Sequence, residues 1–142
     1  MEYRGKREDM TTPMKMTSLK TANRIYNELI RLRAANDQGM VICITCGKSM
    51  FWKGGDAQAG HFLHGLDFID NNMHVQCVHC NQYDTDSKYA YMLFMLDTYG
   101  KKEIEQLRFL KGQNNKIHPV VLTEMVRGYR EEIKKLKKEK GL

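Results

Sequence analysis

The chain has 142 residues, 42% of them apolar and 28% charged, with a net charge of +6 and a pI near 9.1. That length suits one ordinary domain, and no apolar run approaches the roughly 20 residues that a bilayer-spanning helix requires. The four cysteines form two CxxC pairs, poor spacing for a secreted disulfide framework, and the opening MEYRGKREDM has no apolar stretch behind its charges, so a cytoplasmic protein with no membrane partner is expected.

The charge is unevenly placed: residues 1–40 carry +3, residues 41–82 carry −1 and residues 83–142 carry +4. A near-neutral centre between basic flanks suits a protein whose arms touch a polyanion while its centre acts on it. Residues 1–16 mix charge, Thr and Pro without a period and read as a flexible basic arm. Residues 17–142 read as a single domain, with a core over 41–100 and a helical part over 101–142.

After Thr17 or Ser18 as N-cap, apolar residues recur at helical spacing (Leu19, Ala22, Ile25, Leu29, then Ile30 or Leu32). That helix is expected to stop near 37–39. The Gly-bounded MVICITCGKSMFWKGG predicts a β-hairpin whose turn holds Cys43 and Cys46. The stretch 56–76 reads as irregular, with one short strand at 73–76. DSKYAYMLFMLDTYG predicts a buried helix ending at Gly100, and KKEIEQLRFLKG a shorter one presenting Ile104, Leu107 and Leu110. The last helix carries a long stripe of Leu122, Met125, Tyr129, Ile133 and Leu136. This stripe offers either a homodimer surface or a face folded back on its own domain.

Cys43-x2-Cys46, thirty residues, then Cys77-x2-Cys80 is the spacing of a tetrahedral Zn²⁺ site. Gly47 allows the tight turn of a zinc knuckle, and Cys77–Cys80 precedes a helix, so a treble clef is expected. Four thiolates leave the ion no open position for water, which makes the zinc structural. His61, His64, Asn72, His74, His79 and Asn81 remain. Phosphodiester hydrolysis needs a base and a divalent cation. Histidine titrates near neutrality, which suits the base, and an Asn carbonyl oxygen or a carboxylate suits Mg²⁺ or Mn²⁺. His74 and His79 read as structural.

The order His61, Asn72, Asn81 threaded through the two CxxC pairs resembles the HNH endonucleases with a four-cysteine zinc site. In those enzymes an Asn stands five residues before the third cysteine, as Asn72 does. The elements NELIRLR, CITCG, AGHF, N-x-H-x-QC and CNQ, in that order, resemble the phage NinG (Rap) recombination family of branched-DNA and Holliday-junction endonucleases. The ligand pattern is also similar to the phage endonuclease VII family.

The resemblance implies an α+β fold: a treble-clef, zinc-bound HNH (ββα-metal) core flanked by an N-terminal helix and C-terminal helices. It further implies His61 as general base, Asn72 as the residue pinning the loop that bears it, and Asn81 as a ligand of a catalytic Mg²⁺ or Mn²⁺. The partner would be branched or junction DNA in the host bacterial cytoplasm. One departure stands out. Many HNH proteins carry an acidic residue or a second His directly before the base, where this chain has Gly60. Asp56 or His64 is the expected substitute, with Asp84 and Asp86 as further candidates. The other readings are an HNH nicking enzyme for ordinary duplex and a non-catalytic zinc module that binds DNA or protein.

Overall fold

A computed structural model describes residues 15–142; the arm expected at 1–16 lies outside the described residues up to residue 14. Helix α1 spans Leu19–Ala34 and begins on Ser18, whose side chain accepts the Thr21 amide at 3.1 Å. It stops before the expected 37–39 because Asn36 starts a turn. The Asn36 Oδ1 accepts the amides of Gln38 and Met40, and Gly39 follows at φ 78°. The carbonyls left open at the helix end are taken by Lys140, whose Nζ donates to Leu32, Arg33 and Ala35. Part of the basic C-terminal run is therefore a helix cap. Leu19 is exposed and not in the core as expected; Tyr26 fills the stripe instead.

Strands β1 (Met40–Ile42) and β2 (Ser49–Phe51) form the expected antiparallel hairpin, and Cys43 and Cys46 lie in its turn. The stretch 56–76 is more regular than its sequence predicts. Strand β3 (Ala57–His61) pairs antiparallel with β4 (Met73–Cys77), Ala57 opposite Cys77 and His61 opposite Met73. Ala-Gln-Ala-Gly has little β-propensity. The strand exists because Ala57 and Ala59 are small enough to be buried in the core that α1 shares.

The second cysteine pair does not open a continuous helix. A wide five-residue turn, His79–Tyr83, closes with the Asp84 amide on the His79 carbonyl, and α2 (Ser87–Thr98) starts only after it. Ser87 locks this break by donating to the carbonyls of Cys80 and Asp84. Helices α3 (Lys101–Lys111) and α4 (Pro119–Lys140) follow.

The α4 stripe is covered by the chain itself. Leu122, Val126 and Ile133 are buried with Ile25, Tyr26 and Leu29 of α1, and Met125, Tyr129 and Leu136 pack against them. Of the two alternatives for that stripe, a homodimer surface or a face folded back on its own domain, the fold places it against α1. A second, smaller core under α2 and α3 holds Leu66, Tyr91, Met95, Ile104 and Leu107. The result is a mixed α+β fold with two small sheets between helices. Among the described residues no helix is long and apolar enough to cross a membrane.

Candidate metal centre and cleft

The four cysteines meet at one point. Their sulfurs all lie within 4.8 Å of one another, Cys46 and Cys77 at 3.8 Å, with Cys43, Cys77 and Cys80 buried. Four sulfurs bonded to one Zn²⁺ at about 2.3 Å would stand about 3.8 Å apart along each tetrahedral edge, so the cluster fits that ion. Its electrostatics point the same way. Burial pushes the Cys80 thiol up to about 12, with the neighbouring sulfurs adding to the rise. Burial also opposes ionisation of Cys43. There the Thr45 hydroxyl and the backbone of Cys77, Cys46 and Thr45 win, bringing it down to about 6. A central cation lets all four sulfurs ionise together.

β3 ends at His61 and the wide turn after Cys80 presents Asn81. Both line an open cleft of about 530 Å³, together with His64, Gln76, Asp84 and Lys88. The His61 Nε2 lies 2.8 Å from Asp67 Oδ1. His64 is beside it, ring centroids 6.2 Å apart. Asn72 is fully buried and saturates its amide on the loop after His61. Its Nδ2 donates to the carbonyls of Leu63 (2.9 Å) and Leu66 (2.8 Å), and its Oδ1 accepts the Leu63 amide at 2.8 Å. Asn81 Nδ2 donates to Gln58 Oε1 at 2.9 Å.

Asp56 is placed elsewhere. It pairs with Lys48 and accepts the Val78 amide at 3.2 Å, bracing the two cysteine turns against each other; those contacts hold its carboxyl below the usual range. Asp84 reaches the cleft, whereas Asp86 does not line it. His79 is exposed beside the cysteine cluster. His74 is enclosed by Tyr91 (2.8 Å) and Tyr99 (2.7 Å).

Sequence reasoning missed Asp67 and Gln76. Asp67 lies in a loop without periodicity and gives no signal. Gln76 is two residues from His74 on one strand, so both lie on one face of the sheet, opposite Gln58 and Gly60 of β3, a relation that needed β3 to become meaningful. A shallow groove beside the cleft is lined by Arg24, Asn27, Arg31, Gln58 and Asn81, so Asn81 stands at the junction of the two depressions.

Residues 2–139 match the family described as Bacteriophage Lambda NinG protein. Over 91 residues the chain is 28% identical to Protein ninG of Escherichia phage 933W, Escherichia phage lambda and Salmonella phage P22. Those alignments cover 63% of this chain and 43% of each relative, so the chain spans less than half the length of the curated relatives it matches. No solved structure matches.

Proposed function

We propose that this chain, which belongs to the bacteriophage lambda NinG family, is a metal-dependent endonuclease of the HNH type that cuts branched DNA of the Holliday-junction kind during phage recombination in the host cytoplasm. The observation that carries the proposal is the meeting of His61, at the end of a strand, with Asn81, just past the fourth cysteine, in one cleft beside the four-cysteine cluster. A ββα-metal core built on a treble clef puts a base and an amide oxygen in this relation. The choice of branched DNA comes from the NinG resemblance.

In this reading His61 removes the proton from the attacking water, and Asp67 holds the imidazole by its Nε2. Asn72 fixes the loop from Leu63 to Leu66, and through it the end of β3. Asn81 would hold a Mg²⁺ or Mn²⁺, which when bound would supply positive charge to a scissile phosphate and its leaving oxygen. Lys88 and Lys111 at the cleft, and Arg24 and Arg31 along the adjoining groove, supply positive charge for the flanking phosphates.

The decisive experiment incubates wild-type protein and His61→Ala with a four-way junction and with matched linear duplex, with and without Mg²⁺. Cleavage of the junction by wild type only with Mg²⁺, lost in His61→Ala at unchanged zinc content, supports the reading. A fully active His61→Ala overturns it.

A further inference from the structure

Gly60, directly before His61, has no room for a side chain. An ideal Cβ there would lie 1.9 Å from Gln76 Oε1 and 3.0 Å from Asn81 Oδ1. From standard bond lengths, a carboxylate at that position would place its oxygens about 2.4 Å from the same Cβ. The Gln76 carbonyl oxygen therefore stands in the volume that the carboxyl group of an acidic residue would fill.

Among the described residues, neither that oxygen nor its neighbour receives a hydrogen bond. Gln76 is 3% exposed and lines the cleft. Its Nε2 reaches Thr45 Oγ1 at 3.4 Å, and among the described residues nothing donates to its Oε1. Asn81 spends its Nδ2 on Gln58, and likewise nothing among the described residues donates to its Oδ1. Two carbonyl oxygens bordering one small space, both facing the cleft, suit a cation or a proton donor placed between them. No second group of three His, Cys, Asp or Glu side chains converges among the described residues, beyond the four cysteines, so amide oxygens are the ligands to consider for an additional ion in this part of the cleft.

We propose that Gln76 Oε1 and Asn81 Oδ1 together ligate a hard divalent cation in the cleft, Gln76 taking the place of the acidic residue that HNH enzymes carry before the base. This rests on the nuclease reading above and names the ligand that reading lacks. Mg²⁺ and Mn²⁺ accept one or two protein oxygens and keep several waters, so two amides are enough. Neither amide carries charge. The site therefore binds the ion weakly alone and more tightly when a phosphate adds its oxygens.

The test uses the zinc-loaded full chain and Mn²⁺ alone as probe, the free hexaaqua ion being followed by electron paramagnetic resonance. Wild type should take up one Mn²⁺, and Gln76→Leu should bind it about tenfold more weakly or worse. Gln76→Glu should bind more tightly, a gain that misfolding cannot mimic. Gly60→Asp should fail to bind, while Gly60→Asp combined with Gln76→Ala should regain binding because the space has been cleared. If Gln76→Leu binds like wild type while Asn81→Ala does not, the proposal falls and the nuclease reading survives. If wild-type protein binds no Mn²⁺ even with junction DNA present, both fall.

Discussion

Asp67 reaches His61 because the next residue, Phe68, is fixed in the core on the far side of the backbone. The Phe68 ring is buried against Tyr26 of α1 and Tyr129 of α4, with centroids 5.5 and 6.4 Å away. Its backbone sits at φ 60°, a left-handed conformation a bulky residue rarely adopts. Burial of one aromatic ring thus holds a strained turn and aims the adjacent carboxylate at His61 Nε2. The main core and the candidate site are coupled through a single peptide unit.

Asp67 is accordingly expected to act as a positioning residue. Asp67→Asn should lower kcat by at least about tenfold with KM for junction DNA little changed, a smaller loss than the roughly 10²- to 10⁴-fold expected for removing the base itself. Asp67→Glu should recover part of the rate. Steady-state kinetics check this at matched zinc content; a KM effect with unchanged kcat would contradict it.

The thiol cluster makes a separate prediction. Cys77→Ser or Cys80→Ser should leave less than one tightly bound zinc per chain and melt the β3–β4 region, since metal binding contributes directly to folding free energy in such small sites. The α1–α4 pair has its own apolar face and the Arg33–Glu132 bidentate ion pair, so a helical circular dichroism signal should outlast the loss of zinc. Elemental analysis with thermal melts read at both helical and aromatic wavelengths tests the split.

Much of this was legible in the chain, for identifiable reasons. The cysteine cluster was readable because residue identity and spacing are local, and the helices because their apolar stripes repeat. β3 was not, because Ala57, Ala59 and Gly60 carry no strand signal and their pairing with β4 is imposed from outside. Asp56 is an expected substitute ligand in the sequence, but its partners Lys48 and Val78 turn it toward the cysteine loops. Gly60 read as a missing ligand, whereas in three dimensions it is the space that admits Gln76. No property of one strand alone could reveal that exchange.

The fate of the α4 stripe can be measured. Ile133 is 8% exposed within the main core, so Ile133→Ala should cost about 2–5 kcal/mol, the usual loss for truncating a buried aliphatic. Urea unfolding gives the value. Were α4 an interface, that loss would depend on protein concentration; the packing on α1 predicts that it does not.

Arg24 offers a test of the polyanion surface. It is exposed on α1 and lines the groove that meets the cleft at Asn81. Arg24→Ala should weaken junction and duplex binding to a similar degree and reduce the slope of log K against log salt by about 1. Arg31 is a poorer probe, because its Nη1 also holds the Trp52 carbonyl at 2.7 Å. Binding isotherms over a salt series decide the matter, and an unchanged slope would remove Arg24 from the DNA path.

The last prediction concerns acid. Tyr91 donates its hydroxyl hydrogen to the Gly60 carbonyl at 2.8 Å, so its oxygen must accept from His74 Nδ1, and His74 Nε2 in turn accepts from Tyr99. The chain of bonds fixes His74 as a neutral imidazole protonated on Nδ1 and ties α2 to the strand that bears His61. Burial pushes the His74 pKa down to about 4 from its ordinary 6.5. A protonated ring has no acceptor for its second N–H, since the Tyr99 hydroxyl would have to reverse. Below pH 6.5 the unfolded chain takes up a proton that the folded chain refuses, so stability falls as the pH drops toward 4 and this group adds no further loss below that. The whole effect is at most roughly 3 kcal/mol, from 1.36 kcal/mol per pKa unit. His74→Gln keeps polar atoms near both tyrosines and removes the titration. Urea unfolding between pH 7 and 5, above most carboxylate titration, should show wild type losing stability steadily and His74→Gln losing less. Equal slopes for the two proteins would mean that His74 is charged in the folded state, and that the Tyr99–His74–Tyr91 bonds run in another direction.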